Sequence, residues 1–288
     1  MMKTYTMEQK YTSPVLTVDP NDSIFQTLQK MQLNFIKRVV VAVDNKPVGI
    51  VTERDINHYL ENDKTAKALD EIPIKNVMEK NIISITDGQD DRFNQCSTRM
   101  ETFKIGSVIM VNQDGELIGI VSKTDITKAF SVVYGGKYKV KDYMNEKVIT
   151  CRKSDSLKFA LSMMNNNHIS RLVVTNEDGT PLGLISTNTF LTHSDYFSKG
   201  QTRSRDYLLS VNNQDLRVED LLDDELLTVE PEEDLATAAG MMIKNKVGGI
   251  PVVSDKKLVG IVTKDDIVKA FSVVGSHEYL RSKYKEFY

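Results

Sequence analysis

The chain has 288 residues, 40% of them hydrophobic and 27% charged, and a net charge of −3, which is typical of a soluble globular protein of about two domains. This charge gives no general attraction to nucleic acid or to an acidic membrane, and no run of about 18 apolar residues predicts a membrane-spanning helix. Two cysteines are too few for a disulfide framework, and the four histidines lack the spacing of a zinc site. The N-terminus is too polar for a signal peptide, so a reducing, cytoplasmic location is expected.

A short strand is predicted at the start of each of four stretches of the chain, and in most of them a helix-like pattern follows the strand. In the first stretch, apolar residues lie at helical spacing from Ile24 to Phe35. Equivalent patterns begin at Leu157 and Leu235, and acidic or hydroxyl residues before them are typical helix-start signals. The predicted first strands are Val15–Val18, Ile82–Ile85, Val148–Cys151 and Leu226–Val229.

A hairpin and a second helix are predicted next. Short β-branched runs such as Val39–Val43 lead through Asp, Asn or Gly to a second strand, which favours an antiparallel hairpin. Both strands are apolar almost throughout, so both faces are expected to be covered. The second strand ends in the phrase Gly-Ile-Val-Thr or a close variant, and an acid follows three residues later, except that Thr189 replaces it in the third copy. The four phrases begin at Gly49, Gly119, Gly183 and Gly260.

Repetition at intervals of 64 to 77 residues indicates one structural unit copied four times. The predicted order is β-α-β-β-α, in the α/β (α+β) class. A lone copy of about 60 residues buries little core, so the copies are expected to pair. The connector Gly135-Gly136-Lys137 is the predicted break between two pairs. The expected modules are residues 1–137, with repeats at about 7–65 and 74–135, and 138–276, with repeats at about 140–197 and 218–276, followed by a tail at 277–288.

The repeated phrase, in the pattern Gly-[Ile/Leu]-[Ile/Val]-[Ser/Thr]-x-x-Asp within this element order, resembles the cystathionine-β-synthase (CBS) domain. Lead-in segments before the repeats resemble that family as well, and the resemblance covers about residues 7 to 275. The chain looks like a quadruple CBS protein with two Bateman modules, similar in layout to the γ subunit of AMP-activated protein kinase. The resemblance implies regulatory binding of adenosyl ligands such as AMP, ADP, ATP or S-adenosylmethionine, and no catalysis. The quoted lead-ins are Ile74–Met78, Val140–Met144 and Val218–Leu222.

Each phrase offers groups that a nucleotide needs. A carboxylate has two acceptor oxygens for the vicinal ribose hydroxyls, and a hydroxyl at the strand end can donate to a phosphate. The helix start presents free N–H groups and a positive dipole end, and a nearby arginine can hold a phosphate with two bonds. The candidate nucleotide-binding residues are Thr12, Arg38, Thr52, Arg54, Asp55, Ser122, Lys123, Asp125, Arg171, Thr263, Lys264 and Asp266.

The same hydroxyl and acid also match a helix capping box, which would explain them without any ligand. The first copy has Thr12 in its lead-in, where the others have Glu79, Asn145 and Asp223, so the first and fourth copies are ranked as the best sites and the second next. In the third copy, Thr189 puts ribose recognition in doubt.

The predicted function is a non-catalytic sensor that binds adenine nucleotide, with or without Mg²⁺, and passes its occupancy to a regulated protein. No covalent cofactor or metal is expected, and the chain is expected to form a homodimer. One alternative is a scaffold with vestigial sites. Another is a nucleic-acid-binding regulator, against which the net charge of −3 argues. An enzyme is disfavoured because no catalytic array or phosphate-binding GxxxxGK[ST] loop occurs.

Overall fold

The computed structural model describes residues 11–63, 65, 67–88, 92–187, 189, 217–222 and 226–283. The first repeat contains β1 (Thr17–Val18), α1 (Ile24–Leu33), β2 (Arg38–Val43), β3 (Lys46–Thr52) and α2 (Glu53–Asn62). The second contains β4 (Ser84–Thr86), α3 (Arg92–Phe103), β5 (Ser107–Val111), β6 (Leu117–Ser122) and α4 (Lys123–Val133).

The third repeat contains β7 (Thr150–Arg152), α5 (Leu157–Asn166), β8 (Arg171–Thr175) and β9 (Pro181–Ser186). The fourth contains α6 (Leu235–Lys244), β10 (Gly249–Ser254), β11 (Lys257–Thr263) and α7 (Lys264–Lys283). The predicted mixed class and the β-α-β-β-α order are confirmed. The second helix of the third repeat lies mostly outside the described residues.

Each repeat is built on an antiparallel hairpin, β2–β3 in the first, and in the first three repeats a short first strand pairs parallel to it. The predicted first strand of the fourth repeat is reduced to a single parallel bridge between Val229 and Val252. A register shift interrupts every hairpin at the same place, between Val41 and Ala42 in the first repeat. The copies therefore share even the local irregularity of the sheet.

The first strands of the hairpins are buried as predicted, since Val39, Val40 and Val41 are at most 1% exposed. The second strands depart from the prediction, because β3, β9 and β11 contain half-buried residues between buried ones and Val48 of β3 is exposed. Capping residues also match the predicted helix starts. In α1, for example, the Ser23 hydroxyl accepts from Gln26 N, and Gln26 Oε1 accepts from Ser23 N. Such reciprocal bonds satisfy backbone donors that a helix start leaves unpaired.

Contacts group the chain into two compact units, here called unit I (Met1–Pro14, Ile83–Val148 and Leu227–Tyr288) and unit II (Val15–Ile82 and Ile149–Leu226). In unit I, α4 packs on α6 and α7, and α3 packs on α7, around Phe130, Tyr134 and Phe271. Unit II has one apolar cluster in the first repeat and another in the third.

The predicted break at Gly135-Gly136-Lys137 lies within unit I, where Gly136 N donates to Asp234 Oδ1 at 3.0 Å. The compact units thus combine parts of alternate repeats instead of following the division at 137/138, and the module boundaries remain a prediction. The predicted tail begins as a continuation of α7 to Lys283, and Tyr284, Phe287 and Tyr288 lie outside the described residues.

Candidate functional site

The glycine that opens each phrase is the place where the lead-in of another repeat lies against the strand. A Cβ built on Gly119 would stand 2.0 Å from the ring of Tyr11, and one on Gly49 would stand 2.6 Å from Met78 Sδ. The lead-ins are therefore exchanged: the lead-in of the first repeat packs on the phrase of the second and the reverse, and the third and fourth repeats are related in the same way. The same contact is made by Met144 on Gly260 and by Leu222 on Gly183.

The lead-ins continue the sheets by one paired residue. Glu79 and Ile50 exchange both backbone hydrogen bonds, at 2.9 and 3.0 Å. Asn145 pairs with Ile261 in the same way, at 2.9 and 3.0 Å. A lead-in residue therefore stands beside the phrase of the partner repeat, two positions before the phrase hydroxyl.

Thr12 consequently lies in the second candidate site and not in the first. Its backbone pairs with Ile120 of β6, at 3.0 and 3.2 Å, on the strand that ends at Ser122. The sequence ranking, which used Thr12 to favour the first copy, was wrong in this assignment because it left each lead-in with its own repeat. The first phrase receives Glu79 and the fourth receives Asn145, whereas Asp223 lies outside the described residues.

The first phrase ends in a capping box at the start of α2. Thr52 N and Thr52 Oγ1 both donate to Asp55 Oδ2, at 2.8 and 2.6 Å. Asp55 N in turn donates to Thr52 Oγ1 at 3.3 Å. The Thr52 hydroxyl proton is therefore used in the cap, so the expectation that it donates to a phosphate does not fit this arrangement.

The second and fourth phrases repeat this geometry. Ser122 N and Oγ donate to Asp125 Oδ2 at 2.7 and 2.6 Å, and Thr263 N and Oγ1 donate to Asp266 Oδ2 at 2.8 and 2.7 Å. In all three copies the cap uses one carboxylate oxygen. In these three aspartates the other oxygen, Oδ1, accepts no hydrogen bond from any residue in the part of the chain that the structure describes. Capping and ligand binding are therefore compatible, because a carboxylate has acceptor sites on both oxygens.

The third phrase lacks this spare oxygen. Ser186 N donates to Thr189 Oγ1 at 3.1 Å, and the two hydroxyls lie 3.3 Å apart. Threonine supplies the cap acceptor but has a single side-chain oxygen, so no second oxygen remains for a ligand. A ribose would find no carboxylate there.

The carboxylate of the fourth phrase is half-buried. Burial raises the pKa of Asp266, and the two hydrogen bonds from Thr263 and the charge of Lys269 counteract this, while Asp265 adds to the rise. A hydroxyl donor from a ligand would favour the ionised form of such a group.

An open cleft of about 290 Å³ adjoins the first carboxylate. Its walls come from α2 and from the lead-in of the second repeat. His58, Tyr59 and Glu79 were absent from the predicted site, because only the exchange of lead-ins brings that segment to Asp55. The lining residues are Asp55, His58, Tyr59, Asn76, Val77, Met78 and Glu79.

Basic residues of unit II lie at the strand starts. Arg38 pairs with Thr52 across β2 and β3, and Arg171 pairs with Ser186 across β8 and β9. Directly opposed residues of antiparallel strands share a face of the sheet, so each arginine lies beside a phrase hydroxyl. Both were predicted from the sequence to reach a phosphate. Arg54, in the first turn of α2, is exposed.

Lys37 and Glu53 join these arginines. Although Lys37 as a whole is exposed, desolvation lowers the pKa of its ammonium; the charge of Glu53 opposes this, and those of Arg171 and Arg38 reinforce it. Burial raises the pKa of the half-buried Glu53, opposed by Lys37 and Arg38. Three cations and one carboxylate therefore interact within unit II.

Unit I has a different arrangement of charge. Lys123 forms an ion pair with Asp265, and Lys264 Nζ donates to Thr124 Oγ1 at 3.1 Å. The two lysines predicted to supply charge to a phosphate thus bridge the starts of α4 and α7.

Two further observations bear on the class of protein. In the described part of the chain, no group of three or more His, Cys, Asp or Glu side chains could hold a metal ion. No described helix is both long enough and apolar enough to cross a membrane.

Comparison with known proteins finds relatives that are similar over most of this chain. Protein MJ1225 of Methanocaldococcus jannaschii is 27% identical over 275 residues, which is 90% of this chain and 95% of that protein. Its crystal structure, described as that of a proposed archaeal homolog of g-AMPK, superposes with a TM-score of 0.79, 26% identity, and coverage of 92% of this chain and 99% of that chain.

A second protein of the same organism, MJ1404, is 27% identical over 93% of this chain, which spans 62% of the relative's length. A Pyrococcus horikoshii structure shares the fold, with a TM-score of 0.63, 15% identity and coverage of 90% of this chain and 96% of that chain.

The family model of the CBS domain matches residues 9–62, 74–132, 140–195 and 218–273. These segments cover more than half of the chain and coincide with the four hairpin repeats. The chain therefore belongs to the CBS domain family and contains four CBS domains.

Proposed function

We propose that the chain is a regulatory protein that binds adenosyl ligands, with AMP, ADP and ATP as the leading candidates, at the phrases of the first, second and fourth repeats. The observation that carries the proposal is the spare Oδ1 of Asp55, Asp125 and Asp266, which recurs although the cap needs one oxygen. A pair of ribose hydroxyls is the natural donor for such an oxygen.

The surroundings support a nucleotide over a neutral nucleoside. Arg38 stands beside the hydroxyl of the first phrase, and the start of α2 adds a positive dipole end. Membership of the CBS family and the similarity to MJ1225 over 92% of this chain support a sensor role, because that protein is described as a proposed archaeal homolog of g-AMPK. We place this sensor in the cytoplasm as a homodimer that acts on a separate regulated protein, without catalysis of its own. Mg²⁺ would accompany the ligand where that ligand is ATP.

Thermal unfolding with a ligand panel tests the proposal. A ligand at about 100 times its dissociation constant should stabilise the folded protein by about 2.7 kcal/mol. We expect at least one of AMP, ADP, ATP and S-adenosylmethionine to raise the melting temperature, with guanosine monophosphate as the control. If none of the four moves it at saturating concentration, the capping boxes are purely structural and the chain is a scaffold.

A further inference from the structure

The first repeat reverses the charge pattern that the second and fourth repeats share. In every repeat, the residue after the phrase hydroxyl donates its N–H to a carbonyl just before the hairpin, so the positions are structurally equivalent. These bonds are Glu53 N to Lys37 O, Lys123 N to Gly106 O, Thr187 N to Ser170 O and Lys264 N to Gly248 O, at 3.0 to 3.2 Å.

At this helix start, the second and fourth repeats have a lysine, and the first has Glu53. At the start of the hairpin, the first repeat has the cations Lys37 and Arg38, whereas the second and fourth repeats have small uncharged residues there. The third repeat adds Arg171 to the same unit. The small residues in the other unit are Gly106, Ser107, Gly248 and Gly249.

Glu53 is more than an ordinary acid in the first turn of a helix. Such an acid is usually solvated and interacts with the helix dipole. Glu53 is half-buried and interacts with Lys37 and Arg38, so its carboxylate already provides part of the negative charge that these cations attract. The four groups together have a net charge of about +2, close to the charge of about −1.5 to −2 on one phosphate monoester near pH 7.

We propose that Glu53 is a built-in counter-ion that determines specificity, so that the basic cluster of Lys37, Arg38 and Arg171 favours a nucleoside monophosphate over the triphosphate. This inference rests on the proposed function, since it assumes that a nucleotide with its ribose at Asp55 directs its phosphate toward Arg38. An additional phosphate would bring its charge toward the Glu53 carboxylate, and the resulting repulsion grows with the charge of the ligand.

Calorimetric titration of AMP and ATP without Mg²⁺ tests the inference. The titrations use the Asp125→Asn/Asp266→Asn background, in which the first phrase keeps the spare carboxylate oxygen. Glu53→Gln keeps the shape of the side chain and removes its charge. We expect it to tighten ATP binding about tenfold and AMP binding about threefold, because the Coulomb energy scales with the charge of the ligand.

Glu177→Gln is the matched control. It removes one negative charge from the same unit, at a side chain that is 90% exposed and paired with Arg152 at 3.1 Å. It should leave both affinities unchanged. Lys37→Gln provides a second test of opposite sign, and it should weaken ATP more than AMP.

The possible outcomes are distinguishable. If the wild-type protein binds none of AMP, ADP, ATP and S-adenosylmethionine, the proposed function is overturned and the inference with it. If the parent binds AMP but Glu53→Gln and Lys37→Gln leave the ratio of ATP to AMP affinity unchanged, the inference alone is overturned. A shift of that ratio in Glu177→Gln as large as in Glu53→Gln would also contradict it, since the effect would then come from overall charge.

Discussion

In the first, second and fourth repeats, the aspartate three residues after the phrase has two carboxylate oxygens, one for the cap and, as we propose, one for a ligand. Oδ2 of Asp55 receives the backbone and hydroxyl protons of Thr52 and thereby fixes the start of α2. Oδ1 takes no part in that cap. A glutamate could also cap, but its longer side chain would place the second oxygen elsewhere, and a glutamine has no second oxygen. The short acid thus suits both roles.

Asp55→Asn separates the two roles. Asparagine keeps one acceptor for Thr52 N, so we expect a loss of at most about 1 kcal/mol in the free energy of unfolding. It loses the charge and one acceptor oxygen, so AMP affinity at the first phrase should fall about tenfold, because charge-assisted hydrogen bonds are roughly twice as strong as neutral ones. Calorimetry and chemical denaturation in the Asp125→Asn/Asp266→Asn background measure both quantities. A variant that unfolds earlier yet binds AMP like its parent would show that the carboxylate is only a cap.

At the scale of the elements, the exchanged lead-ins explain why the phrase begins with glycine. The side chains of Tyr11, Met78, Met144 and Leu222 occupy the space that a Cβ would need. Tyr11 is the stiffest of these because an aromatic ring cannot bend away, whereas the thioether of Met78 can change its rotamer. The glycine is therefore needed because it leaves room for the lead-in of the paired repeat. It is not needed for its backbone conformation, since none of these four glycines has a positive φ.

Gly119→Ala should displace Tyr11 and, with it, Thr12 from the second site. We expect a loss of about 1–3 kcal/mol in the free energy of unfolding, the usual range for an overpacked contact. Gly49→Ala should cost less, since its closest contact, at 2.6 Å, is to the flexible side chain of Met78, and the backbone oxygen of Glu79 stands at 3.1 Å. Gly135→Ala is the control, because its new Cβ would meet nothing within 4 Å. Equal midpoints in urea for the Gly119 and Gly135 variants would contradict this role of the lead-in.

The elements also show what the sequence could and could not reveal. The hairpins and their caps were predictable, because β-branched runs and hydroxyl–acid pairs are local signals. The helix α3 lacks a clear apolar pattern, although Phe93, Cys96, Ser97 and Met100 are buried on one face. Cys96 and Ser97 are weak hydrophobic signals, so the periodicity was hidden. The pairing of Thr12 with Ile120 depends on a contact more than 100 residues away along the chain, which no local pattern encodes.

At the scale of the whole molecule, the four CBS domains share the same hairpin and phrase but differ in the residues around the phrase. The second site has Thr12 and Ser107 near its carboxylate, the fourth has Asn145 and Gly249, and the first has Glu79 and Arg38. The third has lost the acid. These differences predict that the candidate sites differ in affinity or in preferred ligand, and a regulatory response would need a difference in affinity between two states of the protein.

Native mass spectrometry with saturating AMP tests the central claim most directly, since it counts bound ligands per chain. The account predicts three AMP molecules on the parent chain at saturation, and clearly fewer on the Asp55→Asn/Asp125→Asn/Asp266→Asn variant than on the parent when both are measured at an AMP concentration near the dissociation constants of the parent. No bound AMP on the parent, a fourth equivalent on it, or an undiminished count on the triple variant would contradict the claim that the spare carboxylate oxygens are the ligand sites.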